Sequence, residues 1–253
     1  MEEYTVKVDT NGTREWFQNG ERHRLDGPAV EWSSSGKEWS YGGKEWYQNG
    51  KLHREDGPAV ERPNGNKTWY KNGKCHREDG PAIEHVSGYK AWFQNGERHR
   101  LDGPAYEYFT GEKAWYQNNK RHRLDGPACE YANGSMAWYQ DGNLHREDGP
   151  AVEDADGLKE WYQNGKCHRE DGPAYEGADG YKAWYQNGER HRLDGPAIEH
   201  ASVHKEWYIE GKELTEEEFN NRNNNRNNKV EVTLEDIAKA MNIDIDKLRI
   251  KEH

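Results

Sequence analysis

Apolar residues in this chain never form a long run. They recur in short clusters at a fixed interval, separated by strongly polar stretches. One cluster is an aromatic pair followed by a turn, W-(Y/F)-x-(N/D)-G, led by Trp16, Trp46, Trp69, Trp92, Trp115, Trp138, Trp161, Trp184 and Trp207. The other is H-R-x-D-G-P-A-x-E, whose histidines are His23, His53, His76, His99, His122, His145, His168 and His191. Their spacing is 30 once and then 23 six times. The long first step contains an extra Trp39-Ser40-Tyr41-Gly42-Gly43, as though one short strand and turn had been duplicated.

Each unit predicts two short strands and two turns. In Lys44 to Gln48 the β-forming aromatics are central, and Asn49-Gly50 follows as a type I′ hairpin signal. Asp56-Gly57-Pro58 predicts a second turn, in which Gly permits a positive φ and Pro restricts its own. No unit can bury a hydrophobic face alone, so stability must come from stacking on neighbours. The predicted fold is therefore all-β: tandem 23-residue β-hairpin repeats in an elongated ribbon or solenoid.

Two variable slots move together. The residues flanking His-Arg read Arg22/Leu25, Leu52/Glu55, Cys75/Glu78 and Arg98/Leu101, and then the same order of types again from Arg121/Leu124 to Arg190/Leu193. Eighteen residues from Gly88 recur 92 positions later from Gly180 with the single difference Phe93/Tyr185, so the array is a four-unit block used twice. One apolar side chain per unit, from one slot or the other, suggests that the two positions share a small pocket. Cys75 and Cys167 then read as apolar fillers.

Composition sharpens this picture. Only 32% of residues are hydrophobic and 33% are charged, which borders on disorder, yet regular spacing of 11 Trp and 15 Tyr argues for a thin ordered fold. A net charge of -11 argues against general affinity for nucleic acid or anionic lipid. No segment is apolar enough to cross a membrane, and the charged Met1-Glu2-Glu3 opening predicts no signal peptide. The three cysteines form no C-x-x-C pair, so a cytoplasmic setting is expected.

The 23-residue period, the aromatic-x-x-Gly hairpin and the following His resemble the MORN-repeat superfamily over roughly residues 14 to 212. The chain differs from the usual Y-x-G-x-x-x-x-G-x-x-H-G pattern by placing Arg after His. The H-R-x-D-G-P-A form resembles repeat proteins of large DNA phages and giant viruses. That resemblance implies a viral inhibitor of a host defence or regulatory protein, acting in the host cytoplasm.

The repeated chemistry has two readings. Arg24, Arg54, Arg77, Arg100, Arg123, Arg146, Arg169 and Arg192 could form a ladder that grips phosphates or carboxylates. Alternatively Asp26 pairs with its own turn or with Arg24, and His23 packs beside Trp16. The adjacent Arg opposes metal binding, and no unit gathers three or four ligands. Successive strand residues face opposite ways, so if Trp forms the packed face, the ladder of Tyr47, Tyr70, Tyr116 and Tyr139 lies on the other, either exposed as a recognition strip or buried by coiling of the sheet. Positions after G-P-A vary: Trp32, Arg62, His85, Tyr108, Tyr131, Asp154, Gly177 and His200. A constant scaffold displaying variable residues points to recognition, with Trp32, Trp39, Tyr108 and Tyr131 as contacts.

Three parts are expected: the array over 1–212, a capping helix and Asn-rich linker over 213–229, and a small helical tail over 230–253. Thr215 and Glu218 form a capping box. In the tail, Leu234, Ile237, Ala238 and Met241 form one stripe. Ile243 and Leu248 add apolar surface that folds back on the ribbon, docks a partner or drives self-association. No catalytic constellation or cofactor site breaks the repeat. The expected function is non-catalytic binding of a host protein, or alternatively a small-molecule or nucleotide sponge with pockets between repeats.

Overall fold

The computed structural model describes residues 3–33, 42–202, 204–227, 234–242 and 244. Trp39, Ile243 and Leu248 lie outside the described residues. The repeats do form an open, all-antiparallel β-ribbon, with two short helices at the C-terminal end. Each regular unit contains four two-residue strands rather than two longer ones, as in Val60–Glu61, Lys67–Thr68, Tyr70–Lys71 and Lys74–Cys75. The tryptophan causes the division. Trp69 donates its amide to the Ala82 carbonyl, while its own carbonyl accepts from His76, so the strand changes partners at this residue.

Val60–Glu61 and Lys67–Thr68 form the first hairpin, and Lys67–Thr68 also pairs with Ile83–Glu84 of the next unit. Repetition of that pairing gives one continuous meander. Its register creates two unlike faces. On one, Glu61, Lys67, Glu84, Lys90, Glu107, Lys113 and Glu130 alternate in charge across successive strands. Such opposite-charge cross-strand pairs each contribute about 0.2–1 kcal/mol. Met136 interrupts this series. On the other face, Ile83, Ala91, Tyr106, Ala114, Cys129, Ala137 and Val152 alternate large with small.

The second hairpin, such as Tyr70–Lys71 with Lys74–Cys75, turns through Asn72 and Gly73, both with positive φ (52° and 78°). That is the predicted type I′ geometry. Neighbouring second hairpins stack through backbone bonds, as from Gly96 N to the Cys75 carbonyl at 2.8 Å. The most buried element is the alanine of G-P-A. Ala29, Ala59, Ala82, Ala105, Ala128, Ala151, Ala174 and Ala197 are all at 0% exposure.

The G-P-A glycine has a different role from the one expected. Gly57 does not adopt a positive φ; a Cβ there would stand 3.0 Å from Cζ of Arg54. Glycine is required because the guanidinium lies against the backbone.

At the far end, Thr215 and Glu218 form the expected reciprocal cap, with Glu218 N to Thr215 Oγ1 at 3.2 Å and Thr215 N to Glu218 Oε2 at 2.8 Å. Helix α1 (Glu216–Asn227) runs through most of the expected linker. Phe219 anchors it by burying its ring, and Asn223 donates to the Leu193 carbonyl. Helix α2 (Leu234–Met241) has the expected stripe, of which Leu234, Ile237 and Met241 are exposed and Ala238 is buried. No described helix is long and apolar enough to cross a membrane.

Candidate functional site

The invariant arginine is held against the ribbon, while its aspartate partner stays exposed. The Arg77 guanidinium lies 4.0 Å from the Trp69 ring centroid. Its Nε donates to Asp79 Oδ1 at 2.9 Å, and Nη1 donates to the Pro81 carbonyl and to Glu84 Oε1. Arg24, Arg54, Arg100, Arg123, Arg146, Arg169 and Arg192 repeat the stacking and the Asp contact. The arginine hydrogen bond holds the Asp79 carboxyl below its ordinary value.

Clefts do lie between units, one of about 760 Å³ bounded by Arg54, Trp69, His76 and Arg77. Its rim carries Glu55, Asp56, Glu78 and Asp79, whose charge opposes an anionic ligand.

The motif histidine follows Trp across the hairpin, its amide donating to the Trp carbonyl, and its ring reaches the next unit. His76 Nδ1 accepts the amide of Asn95 in the next unit at 3.0 Å, and all eight motif histidines make this bond. The two slots flanking His-Arg also do not share a pocket. The first faces the Tyr ladder, as in Tyr70 opposite Cys75 and Tyr116 opposite Arg121. The second stands in the loop, where Leu101 and Leu124 are 76% and 77% exposed. Where the second slot is Glu, its carboxylate approaches His Nε2, at 3.4 Å for Glu78 and His76. Burial pushes the Cys75 and Cys167 thiols up to about 12, in keeping with apolar filling.

The variable positions share a face with the Tyr ladder. Tyr108 lies just past the strand Tyr106–Glu107 with its ring against Tyr106, and Tyr106, Tyr116, Tyr139, Leu144 and Val152 pack against the Ala114, Cys129 and Ala137 cluster. At mid-array this face becomes an aromatic patch. Tyr89 and Tyr108 have centroids 4.8 Å apart, Tyr106 and Tyr108 5.4 Å, and Tyr106 and Tyr116 6.4 Å. Tyr108 and Tyr131 are 43% and 39% exposed, with Phe109 projecting from the adjoining turn at 73%. A neighbouring groove of about 460 Å³ is bounded by Tyr131, Tyr139, Met136, Glu112 and Asp154. Four of the expected contacts, Tyr108, Tyr116, Tyr131 and Tyr139, thus fall in one region.

Tyr47 and Tyr70 lie farther along the ladder among charged groups. Tyr47 donates to Glu45, which also pairs with Arg62 at 3.0 Å. Trp32 is half-buried at the end of Val30–Trp32, its indole N–H without a hydrogen-bond partner among the described residues.

The expectation that no unit gathers three or four ligands does not hold for the last unit, which brings together a trio. His200 Nε2 and His204 Nε2 lie 3.7 and 3.3 Å from Glu206 Oε1, close enough to share a metal ion. Arg190 stands 3.9 Å from the other Glu206 oxygen. These side chains come from variable positions across one hairpin rather than from the H-R-x-D motif.

No protein-family profile matches the chain, and no curated protein matches it significantly in sequence.

Proposed function

We propose that this chain is a non-catalytic protein-binding repeat module, in which the Tyr-lined face at mid-array receives the partner. One observation carries the reading. Residues that differ from unit to unit, His85, Tyr108 and Tyr131 among them, share a face on which exposed aromatics are concentrated. Large rings with a polar tip supply contact area at little conformational cost and are enriched where proteins bind. The resemblance to viral repeat proteins makes a host protein the proposed partner and inhibition the proposed outcome.

The test is affinity capture from candidate host cells with the full chain, with a Tyr108→Ala/Tyr131→Ala variant, and with a Leu101→Ala/Leu124→Ala control in the loop. The expected result is a stoichiometric protein retained by wild type and control but lost by the tyrosine variant. Equal capture by all three overturns the choice of face. Failure to capture any protein, with thermal stabilisation by nucleotides, overturns the protein-binding reading itself.

A further inference from the structure

The first variable slot holds arginine in four units, and their surroundings differ. Arg22 pairs with Glu15 at 2.9 Å, and Arg190 lies 3.9 Å from Glu206. Both carboxylates occupy the position immediately before a tryptophan. Arg98 and Arg121 belong to adjacent units, where the corresponding positions are Ala91, Ala114 and Ala137. Among the described residues neither guanidinium has a carboxylate within ion-pair distance. Arg98 lies 5.6 Å from the Phe93 centroid and 5.7 Å from that of Tyr116, with its Nε buried and without a hydrogen-bond partner. Arg121 donates Nε to Tyr116 Oη and Nη1 to Tyr139 Oη, both at 3.2 Å.

We propose that Arg98 and Arg121 form a carboxylate-binding site, completed by an acidic segment of a partner protein. This rests on the protein-binding reading and names the chemistry of the partner. The argument for a carboxylate comes from the chain itself, because Glu15 fills the equivalent place before Arg22. Two cations on neighbouring units, contacted by aromatic rings and tyrosine hydroxyls rather than by ion pairs, stand beside a groove that also carries Glu112 and Asp154. The guanidinium fork matches a carboxylate, and the tyrosine hydroxyls hold its plane in place. Partial burial strengthens the attraction relative to an exposed arginine. The partner segment therefore carries at least one Glu or Asp, flanked by side chains that lie against Tyr108 and Tyr131.

Two substitutions borrowed from other units test the site. Arg98→Leu/Arg121→Leu installs the residue found at Leu52 and Leu144, so folding should be preserved. Ala114→Glu places a carboxylate between the two arginines, as Glu45 stands beside Tyr47 and Arg62. The probe is a fluorescein-labelled hexaglutamate peptide, followed by anisotropy at low salt, with inorganic phosphate as competitor. Wild type should bind saturably, and the double leucine variant at least tenfold more weakly with an unchanged melting temperature. Ala114→Glu should abolish binding; if it does not fold, the leucine variant decides.

Equal binding by wild type and the leucine variant overturns the site. Binding of phosphate without the peptide overturns the choice of a carboxylate. Failure here, alongside a captured protein that the tyrosine variant loses, would sink this inference and leave the protein-binding reading intact. A positive peptide result with no captured protein would do the reverse.

Discussion

The imidazole Nδ1 of His76 accepts the backbone amide proton of Asn95, 19 residues later in the next unit, at 3.0 Å. Asn95 is the first left-handed residue of its type I′ turn (φ 53°). The next amide, that of Gly96, donates to the Cys75 carbonyl. Each hairpin tip is therefore held by the preceding unit through one side chain and one backbone acceptor. Invariance of His reflects this coupling between units.

Replacing a motif histidine with alanine should cost about 1 kcal/mol, the usual net worth of one intramolecular hydrogen bond. The consequence should depend on position. His99→Ala loosens the contact with Asn118 at the junction of the two blocks, and should broaden or split the urea transition as they uncouple. His191→Ala loosens only the last turn at Glu210, and should shift the end of the array without splitting the transition. Circular dichroism and tryptophan fluorescence followed together distinguish the two. Identical single transitions for both variants would contradict the latch.

Gly103→Ala places a Cβ 2.9 Å from Cζ of Arg100, which is itself 4.1 Å from the Trp92 centroid. Overpacking of this kind costs about 1–3 kcal/mol. A double-mutant cycle with Arg100→Ala measures the cause. The glycine substitution should cost much less once the guanidinium is gone. An unchanged cost in the Arg100→Ala background would mean that backbone conformation, not the close approach, demands glycine.

Much of the scaffold is legible in the sequence because periodicity dictates it. The 23-residue step, the Asn-Gly turns and the Thr215 cap each rest on local rules, and the structure follows them. The misreadings concern contacts between units. Nothing local shows that His76 reaches Asn95, or that Gly57 accommodates Arg54 rather than a positive φ. The coupled Arg/Leu and Leu/Glu choice suggested one pocket, but two positions on opposite sides of His-Arg give the same statistics. Helix α1 continues through a run of Asn, of modest helix propensity, because its first turn is capped and Phe219 is buried. The Tyr108–Tyr131 region was visible as variability, whereas Arg98 and Arg121 stood out only against the Glu15 pairing of the equivalent Arg22.

Leu101 and Leu124 supply a test of the two-slot geometry. Each is more than three-quarters exposed, and other units carry Glu in the same position. Leu101→Glu/Leu124→Glu should therefore change stability by no more than about 0.5 kcal/mol per site, as for ordinary surface changes. A shared apolar pocket would instead make this variant lose several kcal/mol, about 2–5 for a buried leucine. The urea midpoint at neutral pH separates the two.

Acid should weaken the array as a whole. Arginine hydrogen bonds hold Asp26, Asp56, Asp79, Asp102, Asp125, Asp148, Asp171 and Asp194 below the ordinary 3.8. A depressed folded-state pKa means that the unfolded chain binds protons first as pH falls. The stabilisation is thus fully present above about 4–5 and is lost as pH drops through the folded-state values. Glu160 has the opposite sign, since burial raises its pKa and ionisation is disfavoured in the fold. Its contribution is present at low pH and lost as pH rises through the raised value, so Glu160→Gln should stabilise the chain at pH 7. Melting temperatures from pH 7 to 2 should fall below about pH 4, and Asp79→Asn should flatten that fall. A wild-type profile that stays flat to pH 2, or an Asp79→Asn profile as steep as wild type, would show that the Arg–Asp pairs do not couple folding to protonation.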